Sequence, residues 1–285
     1  LLLFRQSANL IFTFVSASMR SEVESARLLG PDEPPVFQIV RADGRSRYFL
    51  TCDHGGNLLP RTLGTLGLSP LDLERHIAWD IGAAGLARRL ADELDAFLIV
   101  QTYSRLAIDC NRTPLSSTSI APLSESTPIP GNQNVSAAEA DLRRRQIFQP
   151  YHDRIGVELD ARKVAGRQTI LVAVHSFTPV FHGENRPWQI GVLYNRDTRL
   201  AQKLLALFRA ESGTVVGDNQ PYAVSDESDY TIPVHGEQRS IPHVEIEIRQ
   251  DLLADEAGQT RWAQRLAGAL RQAEFLLSAA PSSRP

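Results

Sequence analysis

Tyr48-Phe49-Leu50-Thr51-Cys52-Asp53-His54-Gly55-Gly56-Asn57 is the stretch that decides how this chain of 285 residues is read. Its opening residues run without a charge, as a strand buried on both faces does. The histidine stands where the strand should stop, just ahead of two glycines. A second stretch repeats the arrangement: Thr169-Ile170-Leu171-Val172-Ala173-Val174-His175-Ser176-Phe177-Thr178-Pro179, an apolar run closed by His175 and a Ser-x-Thr-Pro turn. Ligands of open α/β sheets bind at the carboxyl ends of the strands. Two imidazoles delivered there by different strands make half of a metal site. The pattern leaves open a plainer reading, two strand-end histidines satisfied by backbone carbonyls.

Outward from these strands, the chain is long enough for one large α/β domain or two small ones. Hydrophobic content of 42% and charged content of 22% are those of a soluble globular protein. A net charge of -3 speaks against a nucleic-acid partner, which calls for a basic excess. Cys52 and Cys110 are too few for a disulfide framework and suit a reducing, cytoplasmic setting. Cys52 reads as a small buried hydrophobe, with a nucleophile beside His54 as the alternative. The apolar run near residues 10–15 is too short to span a bilayer, and no membrane partner is expected. Met19, the only methionine, reads as the true start, with 1–18 lying upstream of it. Residues 1–35 read as a leader that packs little, and 36–280 as one catalytic domain.

Ser69-Pro70 is a helix start, and the pattern predicts a helix from there through Trp79-Asp80 to about residue 94. Asp80 would then sit in an apolar setting, where a carboxylate either faces solvent or binds something. Alternation after a strand at 97–102 puts Arg105, Ala107 and Asp109 on one side. With Asn111 and Arg112 they suggest an anion-binding wall, the alternative being a structural Arg–Asp pair. Residues 115–135 read as a long binding loop. Ser136-Ala137-Ala138-Glu139 is a capping box that opens a helix to about residue 164, with His152 a surface or packing residue. Further on come a strand at 187–195, a helix at 198–210, a short strand at 214–216 and a polar loop at 231–239. In His243-Val244-Glu245-Ile246-Glu247-Ile248-Arg249 the alternation places Glu245 and Glu247 on one face. That suits a central strand with acids on a functional face, or a solvated edge. A covering helix at 257–277 closes the pattern.

These motifs, taken in order, resemble the N-formylglutamate amidohydrolase family. The resemblance rests on His54-Gly55-Gly56-Asn57 with Pro60, Trp79-Asp80, Ser104-Arg105, Asp109-Cys110-Asn111-Arg112 and His175-Ser176-Phe177-Thr178-Pro179. It continues through Arg186-Pro187-Trp188, Gly191-Val192-Leu193, His235-Gly236 and Glu245 to Leu252. It implies a three-layer α/β/α fold with a mostly parallel mixed sheet, related to zinc carboxypeptidases. The implied activity is cleavage of N-formyl-L-glutamate to formate and L-glutamate, late in histidine breakdown, with one zinc per chain. By the same resemblance His54 and His175 are metal ligands. Asn57 stands where carboxypeptidases carry a glutamate ligand, and Asp80 is the candidate for the third ligand. Asn111-Arg112 resembles the pair that grips a substrate carboxylate, with Arg105 as a second cation and His235 placed among the substrate-binding residues. Glu247 resembles the general base, and Glu245 is the runner-up. Two other functions stay open: an amidohydrolase for another N-acyl amino acid or peptide, and a non-catalytic metal- or carboxylate-binding protein.

Overall fold

The structure, a computed structural model, describes residues 27–279; the expectations for residues 1–26 lie outside it. Seven strands form one sheet: β1 Phe37–Val40, β2 Tyr48–Cys52, β3 Phe97–Gln101, β4 Ile170–Phe177, β5 Ile190–Leu193, β6 Val216–Asp218 and β7 His243–Arg249. Their spatial order is β1-β3-β2-β4-β7-β5-β6. The central run β3-β2-β4-β7 is parallel, β1 is antiparallel to β3, and β5 with its parallel neighbour β6 is antiparallel to β7.

The alternation of each strand sorts its side chains to two separate cores. Tyr48, Leu50, Cys52, Val172, Val174, Val244, Ile246 and Ile248 face one core. It is covered by α1 (Ala83–Leu94), α3 (Arg199–Ala210) and α4 (Glu256–Ala279). Phe49, Phe97, Ile99, Leu171 and Ala173 face the other, beneath Tyr151, Ile155 and Leu159 of α2 (Gln149–Val164). This is the three-layer α/β/α arrangement with a mixed, mostly parallel sheet. Among the described residues no helix is long and apolar enough to cross a membrane.

The second face also carries the chemistry. Along β4 the residues of one parity run Leu171, Ala173, His175; along β7 they run His243, Glu245, Glu247. In register Glu247 lies beside His175. The face is therefore apolar in the middle of the sheet and polar at the carboxyl ends of its central strands. β7 is a central, buried strand rather than a solvated edge.

Ser136 caps its helix as expected, accepting from the Glu139 amide at 3.2 Å. The run is α-helical over Ala137–Arg143, passes through a π-turn at Arg144–Phe148 and continues into α2. Four expectations need correction. The helix predicted from Ser69 is a single turn, Pro70–Leu73, and α1 begins only at Ala83. Gly82 at φ +80° lies between them and packs on Leu253, where a Cβ would come within 2.5 Å of the Leu253 Cβ. The Asp80 amide is also drawn off to the His54 carbonyl at 2.9 Å, so Trp79-Asp80 lie in a loop. Residues 105–109 form turns rather than a strand, because Ala107 N closes on Ser104 O at 2.9 Å. The predicted polar loop at 231–239 holds a buried π-helical turn, Ile232–Glu237. In the leader, Leu28 is buried in the second core and its amide is held by Gln146.

Candidate metal centre and substrate cavity

A cavity of about 570 Å³ opens at the carboxyl ends of β2, β4 and β7. Three segments bring ligands to its floor. His54 follows β2, and Gly55-Gly56 let the chain turn tightly over the end of β3: a Cβ on Gly56 would fall 2.0 Å from the Thr102 carbonyl oxygen. His175 points in from β4 itself. Asp80 comes from the loop ahead of α1, which is tied down at Ala78 by the Ser104 hydroxyl at 2.7 Å.

The side chains of His54, Asp80 and His175 are all buried, and their donor atoms lie within 4.8 Å of one another. Asp80 Oδ2 is 2.9 Å from His175 Nδ1 and 3.5 Å from His54 Nδ1. Each imidazole turns its other nitrogen to a separate carboxylate. His54 Nε2 is 2.7 Å from Asp109 Oδ1, and His175 Nε2 is 3.4 Å from Asp53 Oδ2. A carboxylate only accepts, so His54 Nε2 carries the proton and Nδ1 is left to face Asp80. Metal-bound histidines are held in this way, one nitrogen ligating and the other on a carboxylate or carbonyl. His54 Nδ1, His175 Nε2, Asp53 Oδ2 and Glu247 Oε2 are buried without a hydrogen-bond partner among the described residues. Of these, His175 Nε2 and Asp53 Oδ2 face each other at 3.4 Å, whereas His54 Nδ1, beside Asp80, and Glu247 Oε2 are left with room for an ion or a water. Two imidazoles and a carboxylate are a donor set that fits a divalent cation such as zinc.

The electrostatics agree. Burial and the Arg105 guanidinium push the His54 imidazole down, yet Asp109 and Asp80 outweigh them and raise its pKa. Burial also opposes charge on His175, but Glu245, Asp53 and Asp80 hold its pKa well above the usual value. Burial favours a neutral Asp80, and the two imidazoles overcome it to lower the carboxyl pKa. The floor thus attracts positive charge from any source, proton or metal. Ligation needs neutral imidazole, so a metal held here would displace protons.

Two acids stand beside the ligands. Burial, reinforced by the Asp80 charge, raises Glu247 well above the ordinary carboxylate range. Burial likewise raises Glu245, to about 7. Glu245 is engaged, its Oε2 accepting from Asn111 Nδ2 at 3.4 Å, whereas Glu247 keeps an unpartnered oxygen. Gly191 makes room at this point: a Cβ there would come within 2.3 Å of the Gln220 carbonyl oxygen and 3.2 Å of the Glu247 Cβ.

The predicted anion wall is present but mostly committed. Arg105 binds Asp109 Oδ2 through Nη2 at 2.7 Å and Nε at 3.1 Å, and its Nη1 is 3.5 Å from Asp80. Asn111 braces the loops, accepting from the Tyr230 and Thr231 amides and donating to Asp229 and Glu245. Arg112 uses only Nη1, on the Asn111 and Ser228 carbonyls and Asp229. Its Nε and Nη2 hydrogen-bond to nothing among the described residues, and the side chain lines the cavity. His235 does not line it. It is buried in the π-turn and pairs with His152, ring on ring. Cys52 is buried with its thiol pKa raised by burial, which fits the hydrophobe and not the nucleophile.

Sequence reasoning missed Asp53, Asp229, Tyr222 and Gln250, the last three of which line the cavity. Asp53 carried a signal: an acid ending a buried strand beside a candidate ligand. It is 1% exposed, and its Oδ1 accepts from the Tyr151 hydroxyl at 2.6 Å.

The N-formylglutamate amidohydrolase family model matches residues 46–254. A gene product of Agrobacterium tumefaciens of known structure is 36% identical, covering 88% of this chain and all of its own, with a TM-score of 0.86. The N-formylglutamate amidohydrolase of Ralstonia eutropha shares the fold at 17% identity and a TM-score of 0.64, over 87% of this chain and all of its own. No curated protein matches the sequence. From the ordered motifs and the extent of these matches, the chain belongs to the N-formylglutamate amidohydrolase family.

Proposed function

We propose that this protein is a zinc-dependent amidohydrolase that cleaves N-formyl-L-glutamate to formate and L-glutamate, a reaction of histidine breakdown. The observation that carries the reading is one cavity floor on which His54, Asp80 and His175 converge beside the unpartnered carboxylate of Glu247. His54, His175 and Asp80 would hold the metal. Bound there, it supplies Lewis acidity and a water that ionises near neutral pH.

The chain's own groups do the rest. Glu247 takes the proton of the attacking water and delivers it to the departing nitrogen, its Oε2 being unpartnered and free to do so. Water adds to the formyl carbon, the carbon–nitrogen bond breaks, and the amine leaves with the proton. Arg112 offers Nε and Nη2 to the substrate α-carboxylate, a planar fork that matches it. Arg105 holds Asp109 and Asp80 in place, and Asp109 fixes His54. Asn111 sets Glu245 and the loop that carries Asp229.

A second reading is favoured by the cavity itself. Its volume, about 570 Å³, lies in the range that takes drug-sized ligands. That is roomier than a formyl group on a five-carbon amino acid needs, and it suits a larger N-acyl amino acid. Formate and acetate release from N-formyl and N-acetyl amino acids, with and without a chelator, separates the two. Release of formate from N-formyl-L-glutamate that stops on chelation is the expected result; activity indifferent to chelation sinks the metal reading. Within the same assay Glu247→Gln should lose about 10²–10⁴-fold in kcat while keeping its metal. A larger loss in Glu245→Gln than in Glu247→Gln would move the base one pleat back.

A further inference from the structure

At the other end of the sheet lies a second cavity, of about 640 Å³ against about 570 Å³ for the one above. Arg47 precedes β2, Ile170 opens β4 and Pro242 precedes β7. The cavity therefore sits at the amino ends of the three strands whose carboxyl ends lead to His54, His175 and Glu247. Its floor is fixed by the sheet itself, since Ile170 N donates to Arg47 O and Leu171 N to Pro242 O, both at 2.9 Å. The start of α3 makes one wall and the end of α4 the other. No histidine or cysteine lines it, and its single acid, Glu274, is taken by Arg47 at 3.1 Å. Such a lining offers binding rather than acid–base or nucleophilic chemistry.

The charge of the two cavities is opposite. Six carboxylates line the first, whereas in the second Arg47, Arg199 and Lys203 meet one glutamate. Arg199 is paired at 2.6 Å with Asp197, which lies outside the lining. Lys203 is half-buried and has neither an ion pair nor a hydrogen bond among the described residues. Neither arginine presents a free fork: Arg47 has Nη1 on Glu274 and a buried Nε, and Arg199 has Nε and Nη2 on Asp197. The Thr198 hydroxyl does not cap α3, and the Gln168 amide makes no hydrogen bond among the described residues. The free donors are thus single groups on separate side chains. A carboxylate is matched best by two parallel donors. A phosphate accepts from several directions through three oxygens, and lysine serves it as a point charge.

We propose that this second cavity binds a phosphorylated small molecule, its phosphate on Lys203, Thr198 and Gln168 and its organic body on Ile170 and Leu277. Lys203 is the lining cation without a counter-ion among the described residues, and a phosphate supplies one. The volume, about 640 Å³, lies in the range that takes small ligands. The assignment does not depend on the amidohydrolase reading, because the two cavities share no lining residue. The alternative is a solvated groove between α3 and α4 whose cations meet only water.

The test is calorimetric titration of the full chain with phenyl phosphate, and with phenol as the same body without the charge. Wild type, Lys203→Met, Lys203→Arg and Arg112→Met are compared. Wild type should bind phenyl phosphate saturably and phenol far more weakly. Lys203→Met should weaken the phenyl phosphate event about 10-fold, the weight of one charge-assisted hydrogen bond. Lys203→Arg, which keeps the charge, should restore most of it. Arg112→Met should leave the same event unchanged, because Arg112 lines the cavity at the opposite end of the sheet. If Lys203→Met does not fold, Lys203→Gln takes its place. No saturable binding by wild type overturns the proposal and leaves a solvated groove. Binding that survives Lys203→Met intact overturns it too. A loss in Arg112→Met as large as that in Lys203→Met places the phosphate in the other cavity and likewise removes the site.

Discussion

Two pairs of histidines are buried at similar depth in this fold. The rings of His54 and His175 stand 4.9 Å apart at 71°, and those of His152 and His235 stand 5.3 Å apart and almost parallel at 13°. Around the first pair are the carboxylates of Asp53, Asp80, Asp109 and Glu245. Around the second are the rings of Phe148, Tyr151 and Tyr230 and one backbone carbonyl, that of Cys110. Burial opposes the imidazolium in both places. Carboxylates reverse it for the first pair, whereas burial prevails in the second and lowers His152 to about 4 and His235 to about 3. What separates the two pairs is the charge set around the imidazoles, not their depth or their closeness.

The sharpest way to break the comparison is to count metal. His175→Ala should lose bound metal by elemental analysis and reduce turnover to background. His235→Gln, which removes an imidazole equally buried, should keep full metal stoichiometry. Equal metal loss in the two variants would erase the distinction drawn here.

A smaller effect sharpens it. Asp53 reaches His175 Nε2 on one side and the Tyr151 hydroxyl on the other. Asp53→Asn keeps the shape and removes the charge. Partners that orient a ligating histidine are worth about 10–100-fold in metal affinity, so competition with a chromophoric chelator should show a loss of that size. Asp53 is a cleaner target than Asp109, which also anchors Arg105. An unchanged affinity would reduce Asp53 to a partner for Tyr151.

The sequence made some of this legible and hid the rest for physical reasons. His54 and His175 could be found because buried strands advertise themselves as uninterrupted apolar runs, and a polar residue at the end of one stands out. Period-two alternation also put Glu245 and Glu247 on one face, and the register beside His175 confirms that face. Asp80 was singled out by its apolar neighbours, but in the wrong element. Ser69-Pro70 signals where a helix starts and says nothing of where it ends; the turn closes at Leu73, and Gly82, packed on Leu253 far along the chain, marks where α1 begins. Asp53 escaped because its role depends on Tyr151, 98 residues away. His235-Gly236 read as a polar loop motif, since nothing local tells that a π-turn buries it against His152.

The last test concerns acid stability. His152 Nε2 lies 2.7 Å from the Cys110 carbonyl, which only accepts, so Nε2 carries the proton. Its Nδ1 then accepts from His235 Nε2 at 3.1 Å. A neutral, mutually bonded pair results, and a proton added to either ring would face burial and the other imidazole. Asp53, Asp153, Asp160 and Arg239 are the charged groups that bear on the pair, and the carboxylates among them do not overcome the burial. In the native state the rings stay neutral down to about 4 and about 3, whereas in the unfolded chain they take up protons near their ordinary value of 6.5. The unfolded state therefore binds more protons as pH falls from about 6.5, and stability drops with it. The loss ends once pH passes below the native values. Each histidine should cost about 2 kcal/mol between pH 7 and pH 5 by this linkage. His235→Gln can still donate to His152 Nδ1 but no longer titrates, so its stability should fall by about 2 kcal/mol less than wild type over the same interval. Urea unfolding of the chelator-treated proteins at the two pH values measures the difference without interference from metal release. Parallel pH slopes for wild type and variant would mean that the second pair is not held neutral, and the contrast between the two pairs would then be one of geometry alone.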